Sequence, residues 1–154
     1  MAATTTDRIE KRIHLAAPRA RVWRALTDST EFGTWFNIRF QQPFRVGAAL
    51  SGRMAFPGYE HLTVTFVVEQ LVPERLFSYR WHPHAIEAAR DYSAEPMTLV
   101  EFSLTDAGTG TELTVVESGF DGIPIERRAA ALRGNDEGWS IQVTRIRDYL
   151  LANP

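Results

Sequence analysis

The stretch PIERRAAALRGNDEGWSIQVTRIRDYLLA, residues 124–152, follows Glu117-Ser118-Gly119-Phe120 and decides the fold. It reads as one long helix closing the domain. Ile125, Ala129, Leu132, Trp139, Val143, Ile146 and Leu150 recur at helical spacing on one face. Everything upstream reads mainly as short strands. A sheet with one apolar face needs a cover, and this is the one predicted element long enough to supply it. Its middle, Arg133-Gly134-Asn135-Asp136-Glu137-Gly138, is a poor helix former. Two interior glycines cost about 1 kcal/mol each relative to alanine. The spacing therefore predicts a bend or break near Gly134–Gly138 that aims Asn135 and Trp139 inward.

At 154 residues the chain is long enough to bury a core without staples. Its formal net charge is −2 and no basic block stands out, which argues against a nucleic-acid partner held through phosphates. There is no cysteine, hence no disulfide, thiolate metal site or thiol nucleophile. That composition fits a cytoplasmic protein. The sequence contains no run of about 18 apolar residues of the kind that spans a membrane. Residues 1–7 are Ala/Thr-rich and read as a loose tail, with one domain over residues 8–154.

Arg8 to Leu15 reads as a strand, with Ile9, Ile13 and Leu15 set against Arg8, Lys11 and His14. Pro18 suits the first position of a helix running to Thr27, and Glu31 to Phe36 reads as a second, short helix. Strands follow over Ala48 to Phe56, His61 to Val72, Arg75 to Trp81, Thr98 to Leu104 and Thr111 to Glu117. Residues 82–96 are irregular, and either cover one mouth of a cavity or mediate contacts between copies. The order is α+β with hairpin connections, not alternating βαβ units.

Strand–Ala-Pro–helix with Val22-Trp23-x-Ala25-Leu26-Thr27, then Trp35-Phe36, Pro73-x-x-Leu76 running into Trp81, Thr111-x-Leu113-Thr114-Val115, Ser118-Gly119-Phe120 and Asn135-x-x-Gly138-Trp139 before Tyr149-Leu150 come in that order. This pattern resembles the START-like (SRPBCC) superfamily, in particular the branch named after the activator of heat-shock-protein-90 ATPase. The resemblance spans roughly Arg8 to Leu151. It implies a helix-grip fold of the START-like, Bet v type: a curved antiparallel sheet wrapped around the long C-terminal helix, with two short helices after the first strand and a cavity between sheet and helix. Function follows only loosely, because the superfamily spans lipid carriers, cyclases, hormone receptors and chaperone regulators.

Residues expected at that cavity are Trp35, Phe36, Phe56, Phe66, Phe77, Tyr79, Trp81, Val100, Phe102, Val115, Trp139 and Val143, with Glu117, Tyr79 and Asn135 as polar groups. Such a lining suits an apolar, aromatic or lipid-like ligand. Each aromatic has the alternative of simply filling the core. By strand parity Glu117 points inward, where ionisation is costly unless the carboxylate is paired. It could anchor a ligand, act as a general base, or lie at a wetted strand end. Asn135 could instead cap a broken helix. His82-Pro83-His84 with Asp91 matches no metal-ligand spacing, and no nucleophile elbow or dinucleotide fingerprint is present, so neither metal nor cofactor is expected. Arg127-Arg128 with Arg133 reads as a solvated basic cluster. Three roles stay open: a small-molecule binding module; a polyketide cyclase- or hydratase-like enzyme using Glu117 and Tyr79; and a chaperone regulator. A homodimer is compatible with each.

Overall fold

The computed structural model describes residues 7–87 and 90–154. Among them, seven strands form one curved antiparallel sheet in the order β1-β7-β6-β5-β4-β3-β2. The elements are β1 (Arg8–Leu15), α1 (Arg19–Thr27), α2 (Ser29–Phe36), β2 (Ile38–Phe40), β3 (Ala49–Met54), β4 (Thr63–Val72), β5 (Leu76–Trp81), β6 (Thr98–Ala107), β7 (Gly110–Ser118) and α3 (Ile125–Ala152). This is the expected helix-grip architecture. β2 escaped the sequence reading because three residues are too few to show a period. The tail expected over residues 1–7 lies outside the described residues except for Asp7. That residue is tied down: its carbonyl accepts from the Gly119 and Phe120 amides, and its carboxylate from the Asp121 amide.

Hairpin connections dictate the antiparallel ladder from β2 to β7, and β1 closes on β7 in register, Arg8 opposite Ser118 and Leu15 opposite Thr111. Alternation sends one face of each strand against the helices. Phe66, Val68, Phe77, Tyr79, Val100, Phe102, Leu104, Leu113 and Val115 are buried there. In β1 the inward phase also includes Lys11, which sequence patterning places outside. Its ammonium crosses to Asp136 on α3 at 2.9 Å. Phe32, from α2, sits at the centre of the aromatic core, with ring centroids 4.8 Å from Trp35, 4.9 Å from Phe36 and 5.5 Å from Phe44.

α1 and α2 are separated at Asp28, whose carboxylate caps α2 by accepting from the Thr30 and Glu31 amides. α3 is fastened to α2. Arg145 donates to the Trp35 carbonyl, Gln142 to the Phe36 carbonyl, and the Tyr149 hydroxyl to Glu31.

α3 corrects the sequence reading twice. It runs without interruption from Ile125 to Ala152, so the break expected near Gly134–Gly138 is absent. Its first turns are also rotated: Ile125 is 74% exposed and Ala129 is exposed, whereas Arg127 and Ala131 face inward. Arg127 is therefore no part of a solvated basic cluster. It donates to Glu95 and to the carbonyls of Pro83 and His84, and its guanidinium lies over the Tyr92 ring. These acceptors offset the cost of burying its guanidinium charge.

Gly134 has a packing role within the unbroken helix. A Cβ there would lie 2.6 Å from Nδ1 of His84, whose ring rests on the bare backbone. Gly134→Ala should therefore forgo the ~1 kcal/mol that removing a helical glycine usually brings. Amide exchange over residues 82–87 should quicken by about tenfold as His84 is displaced. A full gain in stability with unchanged exchange would contradict this packing.

Candidate functional site

Three strand ends and one helix face converge on a single carboxylate. In the ladder Trp81 pairs with Thr98, and Val100 with Glu117, so Trp81, Thr98 and Glu117 share the inward face at one end of β5, β6 and β7. On α3, Asn135 and Trp139 are four residues apart and project from the same side.

Glu117 is fully buried. Oε2 accepts from Trp81 Nε1 at 2.7 Å and from Thr98 Oγ1 at 2.6 Å. Oε1 accepts from Trp139 Nε1 at 2.8 Å. Asn135 Nδ2 reaches both oxygens, at 2.9 and 3.1 Å. All four partners are neutral, and among the described residues no lysine or arginine pairs with this carboxylate. An indole N–H can only donate, and a carboxylate only accepts, so the set is chemically complementary. Hydrogen bonds to a charged group are the strong ones, which lets neutral donors alone compensate burial.

The indoles carry this order outward. Trp81 and Trp139 lie with ring centroids 5.9 Å apart, and Phe36 is 6.0 Å from the first and 5.9 Å from the second. Together they form one wall of a cleft of about 460 Å³. The sheet adds Met54 and Val64, the loop after β3 adds Phe56, Tyr59 and Leu62, and α3 adds Asn135, Gly138, Ile141 and Gln142. A second wall is His82, His84, Ala85 and Ile86. That wall hangs from α3 through Arg127. Glu95 joins Arg127 to Arg90, and His82 Nε2 lies 3.0 Å from the Glu95 carbonyl oxygen. The hydrogen bond from Arg127 holds the Glu95 carboxyl below the usual carboxylate range. Burial, then the charges of Arg127 and Arg133, push the His84 imidazole below its ordinary value.

Of the residues expected at a cavity, Phe36, Phe56, Trp81, Asn135 and Trp139 border this cleft. Trp35, Phe66, Phe77, Val100, Phe102 and Val115 instead fill the core, and Val143 packs against it. Tyr79 is also core: its ring stacks on Phe66 at 3.8 Å, and its hydroxyl is buried without a partner. Burial, and then the negative charge of Glu117, push its phenol well above the ordinary tyrosine range. Glu117 stands behind the wall and does not border the cleft. Asn135 lies within a continuous helix, so it caps nothing. His82 and His84 are occupied as described. Among the described residues no three His, Asp or Glu are grouped to hold a metal. Sequence reasoning missed Thr98, Gln142 and Gly138 as site residues. Thr98 was open to discovery, since it shares strand parity with Val100 and Phe102.

A second depression, of about 440 Å³, lies at the α1–α2 junction beside Phe40, Gln41, Gln42 and Pro43, and no buried unpartnered polar group borders it.

Residues 16–151 match the family model described as Activator of Hsp90 ATPase homolog 1-like protein. The chain belongs to this family. It is accordingly a member of the START-like superfamily. No curated protein matches the chain. Among solved structures it is similar to DynU16, a protein of the dynemicin biosynthetic locus, at 25% identity and a TM-score of 0.71. That likeness covers 94% of this chain but 47% of DynU16, so the chain spans about half of that relative's length. Protein MLL2253 from Mesorhizobium loti is 22% identical with a TM-score of 0.75, over 96% of this chain and 98% of that one. The Aha1 dimer from Colwellia psychrerythraea is 17% identical with a TM-score of 0.68, over 92% and 93%. The last two likenesses show the fold alone. Among the described residues no helix is long and apolar enough to cross a membrane.

Glu117→Gln replaces one acceptor oxygen by a donor and leaves at least one indole or amide N–H facing it. The variant should lose about 2–4 kcal/mol of stability in urea unfolding. A loss below about 0.5 kcal/mol would show that the four donors do not depend on this carboxylate.

Proposed function

We propose that this protein is a small-molecule binding module whose cleft takes an apolar, aromatic ligand. One observation carries the reading: an aromatic wall of Trp81, Trp139 and Phe36, locked from behind by Glu117, faces a cleft of about 460 Å³. That volume lies within the usual range for small-molecule sites, and most of the lining is apolar, as such sites require. Burying about 300 Å² of apolar ligand surface would contribute about 7 kcal/mol at ~25 cal/mol per Å² before the cost of association, which sets the affinity in the micromolar range at best.

Acid–base chemistry through Glu117 and Tyr79 finds no support in the geometry. Neither borders the cleft, and both Glu117 oxygens are already occupied. The positioning of two indoles accounts for the buried carboxylate without a reaction. A chaperone partner rests on the family description alone, and a homodimer on the Colwellia psychrerythraea relative.

Gly138 offers a direct test. It lines the cleft, and a Cβ built on it meets nothing within 4 Å. Gly138→Leu should fill the cleft while raising helix propensity by up to ~1 kcal/mol. With the neutral dye Nile red as probe, wild-type fluorescence enhancement should saturate. The variant should bind at least about tenfold more weakly at an equal or higher Tm. No saturable binding by the wild type, or equal binding by the variant, would overturn the proposal.

A further inference from the structure

His84 seats the second wall of the cleft on α3. Its carbonyl accepts from Arg127 Nη1 at 3.2 Å, and its backbone is left-handed, with φ 51°. Its imidazole rests on Gly134, where a Cβ would lie 2.6 Å from Nδ1 and 2.7 Å from Cε1. The Nδ1 edge thus abuts the backbone of an unbroken helix, whose amides and carbonyls pair with one another. Among the described residues no carboxylate or carbonyl takes a hydrogen bond from this ring, and the charges acting on it are the guanidiniums of Arg127 and Arg133, both on α3. The acidic groups nearby serve other partners or stand apart. Glu95 is engaged by Arg127 and Arg90, Asp91 sits near His82, and the exposed Glu87 and Glu137 do not offset the two arginines at His84. His82 Nε2 faces the Glu95 carbonyl oxygen and must donate to it, so a second proton, on Nδ1, leaves that contact intact.

We infer that His84 is a pH-sensitive latch: with its ring unprotonated it holds residues 82–86 against α3 and closes that side of the cleft, and on protonation it leaves Gly134 and frees the wall. Protonation adds a positive charge and an N–H at a place that offers two guanidiniums and no free acceptor. Released into water, the same imidazolium is solvated. The docked ring therefore binds its proton less readily than the released one. Docking is at full strength above the ordinary histidine range and weakens as pH falls below about 6.5. The latch itself needs no ligand; its control over ligand exchange rests on the binding reading above.

The nuclear Overhauser contact between His84 Hε1 and the Gly134 Hα protons tests this. It should be present at about pH 8 and weaken at least about threefold by about pH 5.5. The Trp35 indole N–H, bonded to the Ala25 carbonyl, should stay in place over the same interval and report an intact fold. Dissociation of Nile red should quicken about threefold or more between the two pH values. His84→Phe keeps a flat ring without a titrating nitrogen, and should hold its contact with Gly134 at both. If that ring does not seat, His84→Gln should still abolish the pH response of dissociation. A wild-type contact of equal strength at both pH values, or a dissociation response that survives both substitutions, would overturn the latch and leave the cleft reading standing. If the wild type binds no Nile red, the cleft reading falls, and the His84–Gly134 contact alone decides the latch.

Discussion

A buried carboxylate that no lysine or arginine pairs with among the described residues is the constraint on which this structure turns. Glu117 is fully buried, and its charge is answered only by two indoles, an amide and a hydroxyl. An isolated ion in an apolar interior is prohibitively costly, so all four donors must be in place whenever the chain is folded. They come from β5, β6 and α3, while the acceptor is on β7. The hub therefore fixes where the helix lies on the sheet, and which way each indole ring turns. Packing alone would let a tryptophan choose among rotamers; a hydrogen bond to a buried charge removes that freedom.

Function follows from what the hub does to the wall in front of it. With their N–H groups turned inward, Trp81 and Trp139 present carbon faces to the cleft. The second wall hangs on a different buried charge, Arg127, which gathers the carbonyls of Pro83 and His84 and the carboxylate of Glu95. Gly134 lets His84 lie against the helix. One helix thus carries both anchoring points of the cleft, and its two glycines serve different neighbours: Gly134 admits a ring, and Gly138 leaves open space.

Much of this was legible in the sequence. Strand parity turned Glu117 and the aromatic side chains inward, and the ordered motifs named the helix-grip architecture. Depth was not legible. Parity says that Phe66 and Trp81 face the same side, but not that the first lies mid-sheet in the core and the second at the strand end beside the cleft. Arg127 was misplaced because polarity patterning assigns an arginine to solvent; only the tertiary arrival of Pro83, His84 and Glu95 reverses that. The expected break in α3 failed for a related reason. Glycine propensity is a local term of about 1 kcal/mol, and the side-chain hydrogen bonds of Asn135 and Trp139 to strand β7, with those of Gln142, Arg145 and Tyr149 to helix α2, outweigh it.

The central claim is that Glu117 holds both indoles at once. Exchange of the tryptophan indole N–H protons, followed by 15N-resolved NMR, tests it most directly. Trp35 is an internal control, because its Nε1 donates to the Ala25 carbonyl and not to Glu117. The account predicts slow exchange at Trp35, Trp81 and Trp139 in the wild type. In Glu117→Ala it predicts that Trp81 and Trp139 accelerate together while Trp35 stays slow. Rapid exchange at Trp81 and Trp139 in the wild type, or acceleration of only one of them in the variant, would contradict it.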